Sequence, residues 1–267
     1  MRAPGIVHHA TRRRRAAYRR ALWSGGEVLV TVGVVLLLLV AHQLWWTNRQ
    51  ARQGAERKVE ALEREWDRPA QGTANGSAPS EGTGSGQDTG SGRDTRSGGG
   101  GSDDGGKQAA ATRQQPHWSQ AYAVLTIPRL SLRVPVAEGV SKPNVLNKGY
   151  VGHYPGTQQP GQAGNFALAG HRNTHGEPFR YLNRLRPHDT VEVETAAAVY
   201  TYTVDKTLPQ TSARDGGVIR TTPRSNVRPS YGYDEPGYYI TLTTCTPEYT
   251  SRYRLVVWGQ LRSMRPR

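Results

Sequence analysis

Hydrophobic and polar positions divide this chain into segments with different physical fates. Val28 to Thr47 are twenty consecutive uncharged residues, and Val28 to Ala41 are apolar apart from Thr31. At about 1.5 Å of rise per residue such a run spans roughly 30 Å, the thickness of a bilayer's hydrocarbon, and predicts one transmembrane helix over 28–47. The next stretch, 48–68, mixes acidic and basic residues at helical spacings, with Glu60 four residues before Arg64, and predicts a short, charged, solvated helical stalk. Pro69 ends it. From there to Pro116 no Val, Ile, Leu, Met, Phe, Tyr or Trp occurs, so 69–116 is expected to be a disordered Gly/Ser-rich linker with a root-mean-square reach of about 35 to 42 Å.

The pattern changes again at residue 117. Tyr122 to Ile127, Leu132 to Val136, Asn165 to Ala169, Thr190 to Glu194, Val199 to Val204, Tyr238 to Cys245 and Tyr253 to Leu261 are short runs rich in Val, Thr, Tyr and Leu. Turn clusters such as Gln159-Pro160-Gly161 and Asp215-Gly216-Gly217 separate them. The clearest helical pattern in this part is brief, Pro178 to Leu185, where Phe179, Leu182 and Leu185 recur at spacings of three. Residues 117–262 therefore predict one mostly β domain, a barrel or sandwich, followed by a basic tail over 263–267.

Composition sharpens this division. Only 35% of the 267 residues are hydrophobic, so a single core has to be smaller than the length suggests. The net charge of +14 would ordinarily point to nucleic acid, but its distribution does not. Seven Arg against one Glu lie in residues 1–27, while 48–116 is charge-balanced and no dense basic patch marks the β domain. No nucleic-acid partner is expected. The excess of Arg before the apolar run instead places 1–27 in the cytoplasm and everything after the span outside the cell, by the positive-inside rule. A cleaved signal peptide is disfavoured by the length of the run and by His42-Gln43-Leu44-Trp45-Trp46, where small residues would precede a cleavage site.

The lone cysteine, Cys245, excludes an intramolecular disulfide. Strand alternation puts Ile240 and Leu242 on one face and Thr241, Thr243 and Cys245 on the other, with Pro247 stopping the strand just beyond the thiol. A cysteine nucleophile needs a base and an oxyanion donor. The β domain offers His153, His171, His175 and His188 as bases; His171 follows the apolar run Phe166-Ala167-Leu168-Ala169-Gly170 and so also stands at a strand end, while His188 follows a Pro in a turn. A hairpin from Cys245 to the next strand would return Arg252 or Arg254 beside the thiol, and their equal parity leaves both open. His171 and His175 stand four apart as in helical zinc motifs, but Arg172 occupies the place of the catalytic Glu and Pro178 opposes a helix, so no metal site is expected.

Thr241-Leu242-Thr243-Thr244-Cys245-Thr246-Pro247, followed by Arg254-Leu255-Val256-Val257, resembles the Cys and Arg signature of the sortases, cysteine transpeptidases of Gram-positive cell surfaces. Gly152-His153-Tyr154-Pro155-Gly156, Gly164 to Arg172 and Gly176-Glu177-Pro178-Phe179 extend the similarity, in the family's order, over nearly all of 121–261. With the anchor, the linker and the Thr-Leu-Thr-Thr-Cys form, the chain is most similar to class E, the housekeeping type of high-GC bacteria.

The resemblance implies a sortase β-barrel with short helices as the catalytic domain. It implies Cys245 as nucleophile, His171 as acid/base and Arg254 as oxyanion and substrate-positioning donor, with Thr244 lining the site and His153 in support. The expected reaction cleaves a Leu-x-x-Thr-Gly sorting signal, typically Leu-Ala-x-Thr-Gly in class E, between Thr and Gly through a Cys thioester. The partners are then secreted proteins with a C-terminal sorting signal and an amine of the peptidoglycan precursor, and neither cofactor nor metal is needed. Pilin polymerisation, or a non-catalytic wall-binding module, are the alternatives.

Overall fold

The computed structural model describes residues 9–68 and 116–267, with side chains from residue 23 onward. The predicted linker, but for Pro116, lies outside the described residues, as do the first eight residues of the predicted cytoplasmic segment.

One helix, α1 (His9–Trp66), runs without a break through both the predicted span and the predicted stalk. From Trp23 it is long and apolar enough to cross a membrane, and the Val and Leu side chains from 28 to 40 are exposed, with no protein against them. The second half differs from the expected solvated stalk. Ala51, Ala55, Val59 and Leu62 are buried, and their spacings of four, four and three make one helical stripe between the charges. Val59 and Leu62 pack on Ala121, Val124, Ala137, Val145 and Leu146, while Ala55 joins the core of the barrel. Glu63 pairs with Arg133, and Arg52 reaches Gly176 O at 3.1 Å and Glu177 Oε2 at 3.0 Å. Gly149, at a φ of +81°, permits the approach, because a Cβ there would stand 2.8 Å from Ala51 O.

The remainder is a closed eight-stranded barrel: β1 (Ala121–Ile127), β2 (Leu132–Glu138), β3 (Val151–His153), β4 (Gly164–Ala169), β5 (Thr190–Thr195), β6 (Ala198–Ser212), β7 (Tyr238–Thr246) and β8 (Tyr253–Pro266). Around the barrel they follow the order β1-β2-β3-β4-β7-β8-β6-β5, with β2/β3 and β4/β7 parallel and the other neighbours antiparallel. Seven of these strands match the seven predicted runs. The eighth, β3, has only three residues and too little alternation to register as a strand. The predicted tail is part of the barrel, because β6 is long enough to pair with β8 as far as Ala198↔Pro266. Pro178 to Leu185 forms turns and a single 3₁₀ turn at Leu182–Arg184 rather than a helix. A spacing of three suits three residues per turn, and Phe179, Leu182 and Leu185 are accordingly all buried.

Inward-facing residues at alternate positions, including Leu125, Phe166, Leu168, Ile240, Leu242 and Val257, fill the barrel. The opposite face of β7 is buried too, which the alternation could not reveal. Residues 213–237, between β6 and β7, fold over it, so Val218 O accepts from Thr241 Oγ1 at 3.3 Å and from Trp258 Nε1 at 3.1 Å. Asp215 secures this cover by accepting from Thr211 Oγ1 at 2.6 Å, Ser225 Oγ at 2.5 Å and Asn226 N at 2.8 Å.

Candidate active site

The barrel's strand directions determine where the chemistry-bearing residues meet. Because β4 and β7 run parallel and pair Ala169 with Thr243, the residues two places further on, His171 and Cys245, leave the barrel at the same end. Because β7 and β8 are antiparallel, Cys245 lies directly opposite Arg254. Of the two arginines that a hairpin could return to the thiol, Arg254 is the one paired with it. Arg252 precedes β8, and its guanidinium lies over the Tyr253 ring, 5.2 Å from the centroid. His171, Cys245 and Arg254 all line one open cleft of ≈ 950 Å³.

The ends of β4 and β7 are fastened together just before His171 and Cys245. Gly170 N donates to Thr243 O at 3.1 Å, and Thr244 Oγ1 donates to Gly170 O at 2.8 Å. Thr244 is buried, and its hydroxyl is bonded to the backbone just before His171. Gly170 is required by a close approach, since a Cβ there would stand 2.6 Å from the Phe179 ring. His153 is 1% exposed and lies inside the barrel, away from the cleft. It bonds Glu138 Oε2 at 2.7 Å through Nδ1 and Thr157 Oγ1 at 2.9 Å through Nε2, which fits a bracing role for β3.

The His171 imidazole is oriented by a 2.9 Å contact between Nε2 and Asn147 Oδ1 and stacks on His175 with centroids 5.4 Å apart. Burial first, then the neighbouring His175 and Lys142, push its pKa down to about 4. At neutral pH it is therefore an uncharged base. Cys245 is half-buried and its carbonyl accepts from Arg172 Nη1 at 3.2 Å, while the same Nη1 reaches Thr246 Oγ1 at 3.0 Å. Arg254 Nη1 donates to Ser251 O at 2.9 Å and Tyr253 O at 3.0 Å, which holds the guanidinium at the strand's start with its other N–H groups left for a ligand.

Several residues at or beside the cleft carry no sequence signal for this place. Asn147, which orients His171, lies in a 3₁₀ turn (Leu146–Lys148) 24 residues before it. Leu44, Trp45, Thr47 and Asn48 of α1 form one wall of the cleft, and Asn48 Oδ1 accepts from Gly176 N at 2.5 Å. Arg172, His175 and Glu177, which also line the cleft, stand in or beside the motifs that the sequence displays.

Comparison with known proteins follows the same geometry. The profile of the Sortase domain matches residues 125–262. The chain is 40% identical over 247 residues to Sortase SrtE1 of Streptomyces coelicolor, covering 91% of this chain and 57% of that protein. It is 33% identical over 241 residues to Sortase SrtE2 of the same organism, covering 88% and 80%. This chain thus spans little more than half the length of SrtE1. Among solved structures, sortase E1 of Streptomyces coelicolor with a tripeptide in the active site superposes with a TM-score of 0.53 at 49% identity, over 56% of this chain and 92% of that one. SrtF sortase from Corynebacterium diphtheriae does so with a TM-score of 0.52 at 26% identity, over 58% of this chain and 91% of that one.

Proposed function

Because this chain belongs to the sortase family, we propose that it is a membrane-anchored cysteine transpeptidase that cuts a Leu-Ala-x-Thr-Gly sorting signal between Thr and Gly and joins the new Thr carbonyl to a cell-wall precursor amine. The observation that carries the reading is the strand register that delivers His171, Cys245 and Arg254 to one cleft.

The roles follow from the side chains. Neutral His171 takes the thiol proton as Cys245 Sγ attacks the Thr carbonyl carbon, and the oxyanion that forms is stabilised by the Arg254 guanidinium. As the C–N bond breaks, His171 gives that proton to the departing Gly amine, leaving a thioester. The acceptor amine then attacks the thioester carbon, His171 takes its proton, and collapse of the second intermediate releases Sγ, which recovers the proton. Thiol, imidazole and guanidinium account for every proton and charge in the cycle. Thr244 and His153 act by holding strands in place. The span over 28–47 crosses the membrane, with 1–27 in the cytoplasm and the barrel outside.

Mass spectrometry of the full chain incubated with a Leu-Ala-x-Thr-Gly peptide is expected to show a thioester adduct on Cys245 that is absent in Cys245→Ala. A wild-type protein left unmodified across a broad panel of sorting peptides would sink the reading and favour a non-catalytic wall-binding module.

A further inference from the structure

The loop after β4 presents three neighbouring side chains with polar atoms that are buried and have no hydrogen-bond partner: Arg172 Nε, Asn173 Oδ1 and His175 Nδ1. All three residues line the cleft beside His171. Buried polar atoms are ordinarily satisfied, so adjacent orphans at a cleft wall mark a place prepared for something that supplies their partners. Arg172 is the sharpest case. It is 8% exposed, yet none of its ionic contacts among the described residues is to a carboxylate; Nη1 is spent on Cys245 O and Thr246 Oγ1.

Charge points the same way. Lys142, Arg172, Arg180 and Arg254 line the cleft against one carboxylate, Glu177, among its described residues. Glu177 is already held by Arg52 at 3.0 Å and Arg180 at 2.6 Å. A buried guanidinium and an ammonium with no local counter-charge fit an anionic ligand. Asn173 Oδ1 adds an acceptor, which an N–H of the ligand would satisfy.

We propose that Lys142, Arg172, Asn173 and His175 form the acceptor subsite of this transpeptidase, and that they recognise an amine substrate carrying a carboxylate. The carboxylate sits against Lys142, Arg172 Nε and His175, while Asn173 Oδ1 takes an N–H of the same molecule beside His171. The assignment rests on the transpeptidase reading and adds to it the chemical class of the second substrate. It differs from the sorting-signal side of the cleft, where Arg254 faces the scissile carbonyl.

Full chain in detergent micelles, given a Leu-Ala-x-Thr-Gly donor, is to be compared with triglycine and triglycine amide as acceptors, which differ only in the terminal carboxylate. The expected result is a KM about tenfold lower for triglycine, the effect of one charge-assisted contact, with the preference shrinking to about twofold in Lys142→Gln and His175→Gln. Equal KM values with transfer to both amines would overturn the subsite and leave the transpeptidase standing. A preference surviving both substitutions would overturn it too, since the carboxylate would bind elsewhere. Acetate is expected to compete with triglycine; stronger competition by inorganic phosphate would overturn the assignment to a carboxylate. Absence of any acyl-enzyme would remove the transpeptidase reading and the subsite together.

Discussion

His171 illustrates how a single side chain's environment dictates its role. Its pKa lies at about 4 rather than near the ordinary histidine value, because burial, His175 and Lys142 all oppose the imidazolium. The free enzyme's kcat/KM is therefore expected to hold steady through mildly acidic pH and to fall only as the pH drops through about 4, where His171 gains a proton and ceases to be a base. Lys142→Gln removes one like charge and should move that acid limb upward; a limb near 6.5 in the wild type would show that the imidazole is not held neutral. The same shift carries a sign for stability. The unfolded chain binds the proton more tightly, so this histidine's contribution is complete above about 6.5 and is lost progressively as the pH falls towards about 4. Its place after an apolar run marks His171 as a strand-end histidine, but Asn147 and Lys142, which orient and tune it, come from the turns and short 3₁₀ turn between β2 and β3, whose path no periodicity reveals.

At the scale of elements, legibility followed the strength of local patterning. Seven strands stood out because period-two alternation and turn residues agree at each, and the β7–β8 turn left only the choice between Arg252 and Arg254, which pairing decides. The charged half of α1 reads as solvated because its many ionic residues obscure the narrow stripe Ala51, Ala55, Val59 and Leu62, whose partners lie beyond the linker in sequence. The tail at 263–267 looked like a basic end because what orders it is the length of β6, a non-local fact. Leu62→Ala is expected to loosen α1's hold on the barrel by about 2 to 5 kcal/mol, the usual range for a buried leucine. Hydrogen exchange should then accelerate at amides 48–66 while β4, β7 and β8 keep their protection. Uniform acceleration throughout the barrel would instead make the helix part of the global folding unit.

For the whole molecule, the important consequence is that one continuous helix supplies the apolar span, the docked stripe and a wall of the cleft. In the anchored reading, the site lies beside the outer end of the span, since Leu44, Trp45, Thr47 and Asn48 line it. A donor peptide bearing its own apolar anchor in the same vesicles is then expected to be processed roughly tenfold or more faster than the free peptide, through effective concentration. Residues 117–267 alone should show no such advantage, and an equal advantage without α1 would break the link. A helix docked in this way also ties the cleft to the apolar span itself. On the anchored reading the catalyst is expected to act as a checkpoint at the exit from the bilayer, meeting each client while it still dwells there and missing any that has already diffused away.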